Sequence, residues 1–145
     1  MDIVTEQIRI AANNSLTIKQ DDVVINGHAI ECRINAEDPA NNFAPSPGRI
    51  ETFSPPVEMG QGRIRLDTHV EKGYEIPSFY DSMICKLIAH DEDRASAIQT
   101  MVRALKTFEI KGIKTTIPLH LEILNSKVFK EGDYNTSSLA GIMEV

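Results

Sequence analysis

His28-Ala-Ile-Glu-Cys-Arg-Ile-Asn-Ala-Glu37 alternates without a break: Ile30, Cys32, Ile34 and Ala36 fall on one side, and Glu31, Arg33, Asn35 and Glu37 on the other. A period of two marks a strand with one face against a core and the other in water. The strand follows Asn26-Gly27, a dipeptide suited to a tight turn. After it come Asp38-Pro39, Ala44-Pro45 and Ser46-Pro47-Gly48. Each proline lacks a donor and restrains the residue before it, so residues 38–48 are expected to form a loop. Further strands are expected at residues 49–53 and 63–70, with 55–62 as an exposed hairpin tip. Residues 83–89 are apolar except for Lys86, which suits a central strand covered on both faces.

Helices flank this strand-rich middle. Val4, Ile8, Ala11 and Ala12 share a face with Asp2 ahead of them, which predicts a short amphipathic helix over residues 2–13 that ends at Asn13-Asn14. Ile98, Met101, Val102, Leu105 and Phe108 recur at three-and-four spacing after Asp91 or Asp93 as cap, and Lys111-Gly112 supplies a stop. Thr116 as cap with Pro118 in the first turn predicts a further helix through Leu124, and Ser126 to Glu131 a short one ended by Gly132. Strands first and helices later is the α+β pattern, a mainly antiparallel sheet with packed helices. With 145 residues, 41% of them hydrophobic, and no internal repeat, a single domain is expected over residues 1–145.

A net charge of −6 with scattered basic residues argues against a nucleic-acid partner. No run approaches the roughly 20 apolar residues that span a bilayer, so no membrane partner and a cytoplasmic location are expected. Cys32 and Cys85 lie in apolar runs without ligand spacing and are expected to be buried free thiols.

The chain carries no GxSxG elbow, HExxH pair or glycine-rich phosphate loop, so no complete active site is visible. His28, His69, His90 and His120 stand apart from one another and are expected in structural or surface roles. Two polar constellations stand out. Glu31, Arg33 and Asn35 project together and could offer a guanidinium to an anion, although a solvated sheet face is the plainer account. Tyr80-Asp81-Ser82 sits at the mouth of the apolar strand, where a simple turn is again the plainer account.

The run from His28 to Pro39, followed by Ala44-Pro-Ser-Pro-Gly48, closely resembles the signature of the biotin carboxylase C-terminal domain. Gly73-Tyr74, Ile76-Pro77, Tyr80-Asp-Ser-Met-Ile84 and Lys86-Leu87 agree in order, as does Ala104-Leu105 through Ile110 to Gly112-Ile-Lys-Thr115. The resemblance runs from the opening helix, which is similar to the family's linker helix, to about Thr136. It implies the domain's own fold type, barrel-sandwich-like. It also implies that the preATP-grasp domain, the glycine-rich ATP lid and the magnesium-holding residues lie upstream of this chain, which would then hold no metal site.

The family makes carboxyphosphate from ATP and bicarbonate and adds the released carbon dioxide to a ureido nitrogen of biotin held on a carrier protein. The resemblance implies that Arg33 binds biotin and bicarbonate and stabilises the ureido enolate, because a fixed cation beside the developing charge favours the transition state over the ground state. It places Asp81 near the biotin site as a partner that orients Arg33. Thr136 falls beside the adenine of ATP, where the family pattern is often apolar. ATP and Mg²⁺ would then sit mostly on the rest of the enzyme, and these residues alone would be inactive. The implied partners are the ATP-grasp remainder, the biotin carboxyl carrier protein, a carboxyltransferase and a second copy. The family's homodimer uses the stretch matching residues 57–65, which here is longer and lacks an aromatic residue but keeps a basic one at Arg65. A non-catalytic dimerisation or carrier-docking module is the competing reading. Carbamoyl-phosphate and purine-pathway ligases lack the Arg33-to-Pro39 run. The acyl acceptor belongs to the carboxyltransferase and is not encoded here.

Overall fold

The computed structural model describes residues 1–56 and 63–143. Most of the expected hairpin tip, and residues 57–62 of the stretch matched to the family's dimer contact, lie outside the described residues. Along the chain run α1 (Ile3–Ala11), β1 (His28–Asn35) and the short strands β2 (Glu37–Asp38), β3 (Ala44–Pro45), β4 (Gly48–Arg49) and β5 (Thr52–Ser54). Then come β6 (Ile64–Thr68), β7 (Glu75–Ile76), β8 (Met83–Asp91), α2 (Arg94–Thr107), β9 (Glu109–Lys111), α3 (Ile117–Asn125), α4 (Lys127–Glu131) and α5 (Ser138–Met143). Among the described residues no helix is long and apolar enough to cross a membrane.

β8 is the middle of an antiparallel sheet ordered β1-β8-β6, which makes β1 an edge strand. The alternation in β1 puts Ile30, Cys32 and Ile34 in the core, and α2 lays Ala97, Ile98, Met101, Ala104 and Leu105 into the same cluster. α2 packs across both β1 and β8. β8 departs from the expectation of two covered faces. Lys86 and Ile88 are half-buried and His90 is exposed, because helices cover one side of the sheet while the other carries the polar residues of β1. Ile84 is skipped in the pairing with β1, a bulge that re-aims the chain at the end of the strand.

Residues 38–48 are more regular than a loop. Glu37–Asp38 pairs with Ala44–Pro45, and Gly48–Arg49 pairs with β7. The strand expected at residues 49–53 is split between β4 and β5, and the second half pairs with β9. That pairing also corrects the end of the long helix. α2 stops at Thr107, Phe108 turns extended with its ring edge-on to Phe53 at 5.4 Å, and the next three residues become a strand. The four small sheets stay separate and do not close into a barrel among the described residues.

The helix starts follow local chemistry. Asp2 accepts from the Thr5 amide at 3.0 Å and Asp93 from the Ser96 amide at 2.8 Å, while Ser126 caps α4 and Gly132, left-handed at φ 76°, ends it. Thr116 precedes α3 without capping it, since its hydroxyl is used on β1. α5 has no counterpart among the elements expected from the sequence, and α1 buries none of its residues.

Candidate functional site

Arg33 stands in the middle of β1 with its side chain exposed on the polar face. Its strand partner is Lys86, and the residue beyond Lys86 on β6 is Asp67, whose carboxylate is bridged by Arg65 at 3.1 Å. Among the described residues Arg33 takes part in no ion pair within 4.0 Å. Two like charges directly opposite on a sheet repel, while Glu31 and Asp67 supply the acidic charge of the same face. A planar guanidinium with five donors suits an oxyanion or a carboxylate.

The backbone beneath Arg33 is held from outside the sheet. An edge strand leaves alternate peptide groups without a strand partner, and these must find other bonds or water. The Nε2–H of His120 donates to the Arg33 carbonyl at 2.8 Å. Thr116 Oγ1 accepts from the Asn35 amide at 3.0 Å and lies 3.3 Å from the Arg33 carbonyl, and the Thr116 amide donates to the Asn35 carbonyl at 3.1 Å. Burial pushes the His120 pKa below its ordinary value, partly opposed by its bond to Arg33, so the ring is neutral at neutral pH. The sequence pattern places His120 among the isolated histidines and Thr116 at a cap, and the structure brings both to β1. Their i, i+4 spacing at a helix start is the signal that they share one face.

Asp81 lies just before β8, exposed, with Oδ1 accepting from the Met83 amide at 2.7 Å. The carboxylate caps the strand start and forms no ion pair with Arg33. Its neighbours are more closely tied to the Arg33 face. Ser82 Oγ donates to the Glu37 carboxylate, and the Asn35 side-chain amide donates to both Ser82 and Glu37 at 3.2 Å. A cleft of about 250 Å³ opens there, walled in part by Glu37, Tyr80, Asp81 and Ser82. The Tyr80 ring is exposed and tilted against Phe79 at 5.2 Å. Thr136 is exposed in the turn that Asn135 and Ser138 build ahead of α5 and shares no hydrogen bond with Arg33 or Asp81.

Both cysteines are buried, and burial pushes each thiol up to about 12, so neither is a nucleophile at neutral pH. His69 stands edge-on to Tyr74 at 5.3 Å, and His90 bonds the Asn26 carbonyl at 2.7 Å. Among the described residues no three His, Cys, Asp or Glu side chains converge as a cation site requires.

Residues 31–141 match the family model of the biotin carboxylase C-terminal domain. The chain belongs to that family. This biotin carboxylase C-terminal domain is 49% identical over 138 residues to biotin carboxylase 1 of Bacillus subtilis (strain 168), covering 95% of the chain and 30% of that relative. It is 50% identical over 137 residues to the biotin carboxylase of Nostoc sp. (strain PCC 7120), covering 94% of the chain and 30% of that relative. Among solved structures, the biotin carboxylase domain of a thermophilic 2-oxoglutarate carboxylase bound to bicarbonate superposes with a TM-score of 0.91 at 45% identity, over 100% of this chain and 33% of that one. The chain thus spans about 30% of the length of these relatives.

Proposed function

We propose that this biotin carboxylase C-terminal domain forms the biotin-facing wall of an ATP-dependent ligase and that Arg33 is its catalytic residue. The observation that carries the reading is the exposed guanidinium of Arg33, set opposite Lys86 and in no ion pair within 4.0 Å among the described residues. In the proposed reaction a bicarbonate oxygen attacks the γ-phosphorus of ATP, the bond to ADP breaks, and carboxyphosphate forms. Carboxyphosphate then releases carbon dioxide and phosphate, the phosphate takes the ureido proton, and the ureido nitrogen bonds to the carbon dioxide. Arg33 first binds bicarbonate and then faces the ureido oxygen as negative charge develops there. It stays charged at any working pH and needs no reorganisation at that moment.

Two further roles rest on position in the family pattern: Asp81 orients the guanidinium during turnover, and Thr136 neighbours the adenine. Biotin arrives on its carrier protein, ATP and Mg²⁺ are held mainly by the ATP-grasp remainder, and a carboxyltransferase takes the product. These 145 residues alone are inactive, and the whole enzyme is cytoplasmic. A solved relative from Hydrogenobacter thermophilus is described as a biotin carboxylase domain dimer with MgADP and bicarbonate. That supports a homodimer here, for which Arg65 on the exposed side of β6 is a suitable contact.

The test is Arg33→Ala in the full-length carboxylase, with bicarbonate-dependent ATP cleavage and biotin carboxylation followed together. Loss of a preoriented cation lowers carboxylation by about 10²–10³-fold while part of the ATP cleavage survives. Normal rates of both return Arg33 to an ordinary surface charge and favour a docking module.

A further inference from the structure

We propose that His120 and Thr116 are positioning residues for Arg33, anchoring from the start of α3 and the residue before it the edge-strand peptide groups that set where its guanidinium stands. The proposal rests on the catalytic reading of Arg33 given above. β1 pairs with β8 on one side, and on the other no strand among the described residues supplies partners for its outward peptide groups. The supports found there are concentrated at the candidate arginine. The Arg33 carbonyl receives the His120 Nε2–H, and both the amide and the carbonyl of Asn35 are bonded by Thr116. Residues 33 and 35 face the same way on a strand, so these bonds fix the main chain on both sides of Ile34.

Three features make this more than ordinary packing. The bonds join residues 81 and 87 positions apart, so the start of α3 is attached to β1 at this point by polar groups. The bulge at Ile34/Asn35 weakens the regular ladder at this place, which leaves the strand dependent on its outer supports. The arginine has no ion-pair partner among the described residues, so the position of its Cα sets the reach of the guanidinium. A displacement of about 1 Å in a positioned group can lower a rate by as much as 10²-fold.

The experiment uses the full-length carboxylase and the ratio of biotin carboxylated to ATP cleaved in the presence of bicarbonate, a quantity independent of how much enzyme is folded. His120→Leu removes the donor, His120→Gln retains an N–H donor, and Thr116→Val keeps the shape while losing the hydroxyl. The ratio falls roughly tenfold in His120→Leu and Thr116→Val, through kcat more than through KM for biotin, and His120→Gln recovers most of it. Wild-type ratios in both His120→Leu and Thr116→Val overturn the proposal, whatever happens to their melting temperatures. If His120→Leu fails to fold, the isosteric Thr116→Val decides alone. Arg33→Ala in the same series separates the two readings: an unchanged ratio with normal rates of both reactions there removes the catalytic role itself, whereas a reduced ratio beside normal His120 and Thr116 variants removes only the positioning role.

Discussion

Gly112 shows how one residue can fix the meeting of distant segments. It sits at φ 97°, where L side chains are strained, and a methyl group added there would lie 2.2 Å from the Arg49 carbonyl oxygen and 2.9 Å from the Glu51 amide nitrogen. Both atoms are backbone, so no rotamer change relieves the contact. The Glu51 amide donates to the Lys111 carbonyl at 2.8 Å beside it, and that bond is an extension of the β5–β9 ladder. Gly112→Ala is therefore expected to lower stability by about 2–5 kcal/mol, combining left-handed strain with overpacking. Denaturant unfolding measures it; a loss below about 0.5 kcal/mol would mean that the chain does not come this close to Arg49.

At the scale of elements, Asp91 joins three of them. From the end of β8 its carboxylate accepts from Arg63, next to β6, at 2.7 Å and from Thr100 of α2 at 2.7 Å. The Thr100 hydroxyl and then the Glu92 amide, with Arg63 adding its charge, hold the Asp91 pKa below the ordinary carboxylate value. A folded-state pKa below the unfolded one, about 3.9, gives stability that is present above that value and lost as pH falls through the folded pKa. The gap in melting temperature between the wild type and Asp91→Ala should thus be widest near pH 7 and narrow below about pH 4. A gap constant from pH 7 to about 2.5 would assign the whole effect to packing. The sequence offers Asp91 and Asp93 equally as caps for α2, and only the fold shows why Asp93 takes the helix while Asp91 is drawn to Arg63. The same division holds elsewhere. β1 is legible because its period is local. The end of α2 is not, since β9 depends on β5 more than fifty residues upstream. Arg33 can be singled out from its motif, whereas His120 cannot, because its partner is a carbonyl 87 positions away.

At the scale of the whole molecule, the first 26 residues stand apart from the core. None of them is buried, the core cluster begins at Ile30, and α1 leaves Ile3, Val4 and Ile8 each more than 60% exposed. The bonds that shape this segment are largely its own, such as Glu6 with Thr17. Its described tie to the rest is the Asn26 carbonyl with His90. Burial of apolar area is the main source of stability, so a segment that contributes none to the core contributes little to the folding free energy. Deleting residues 1–26 is expected to change stability by less than about 1 kcal/mol, a shift of a few degrees in Tm for a domain of this size. Hydrogen exchange gives the complementary readout: amides of residues 3–11 exchange at nearly unprotected rates, while those of β8 and α2 exchange only on global unfolding. Deletion should also improve solubility, because an unpaired apolar helix face favours self-association. A Tm loss above about 10 °C, or strong protection across α1 in the isolated chain, would show that this segment packs against the sheet and that the stable unit begins at α1 and not at β1.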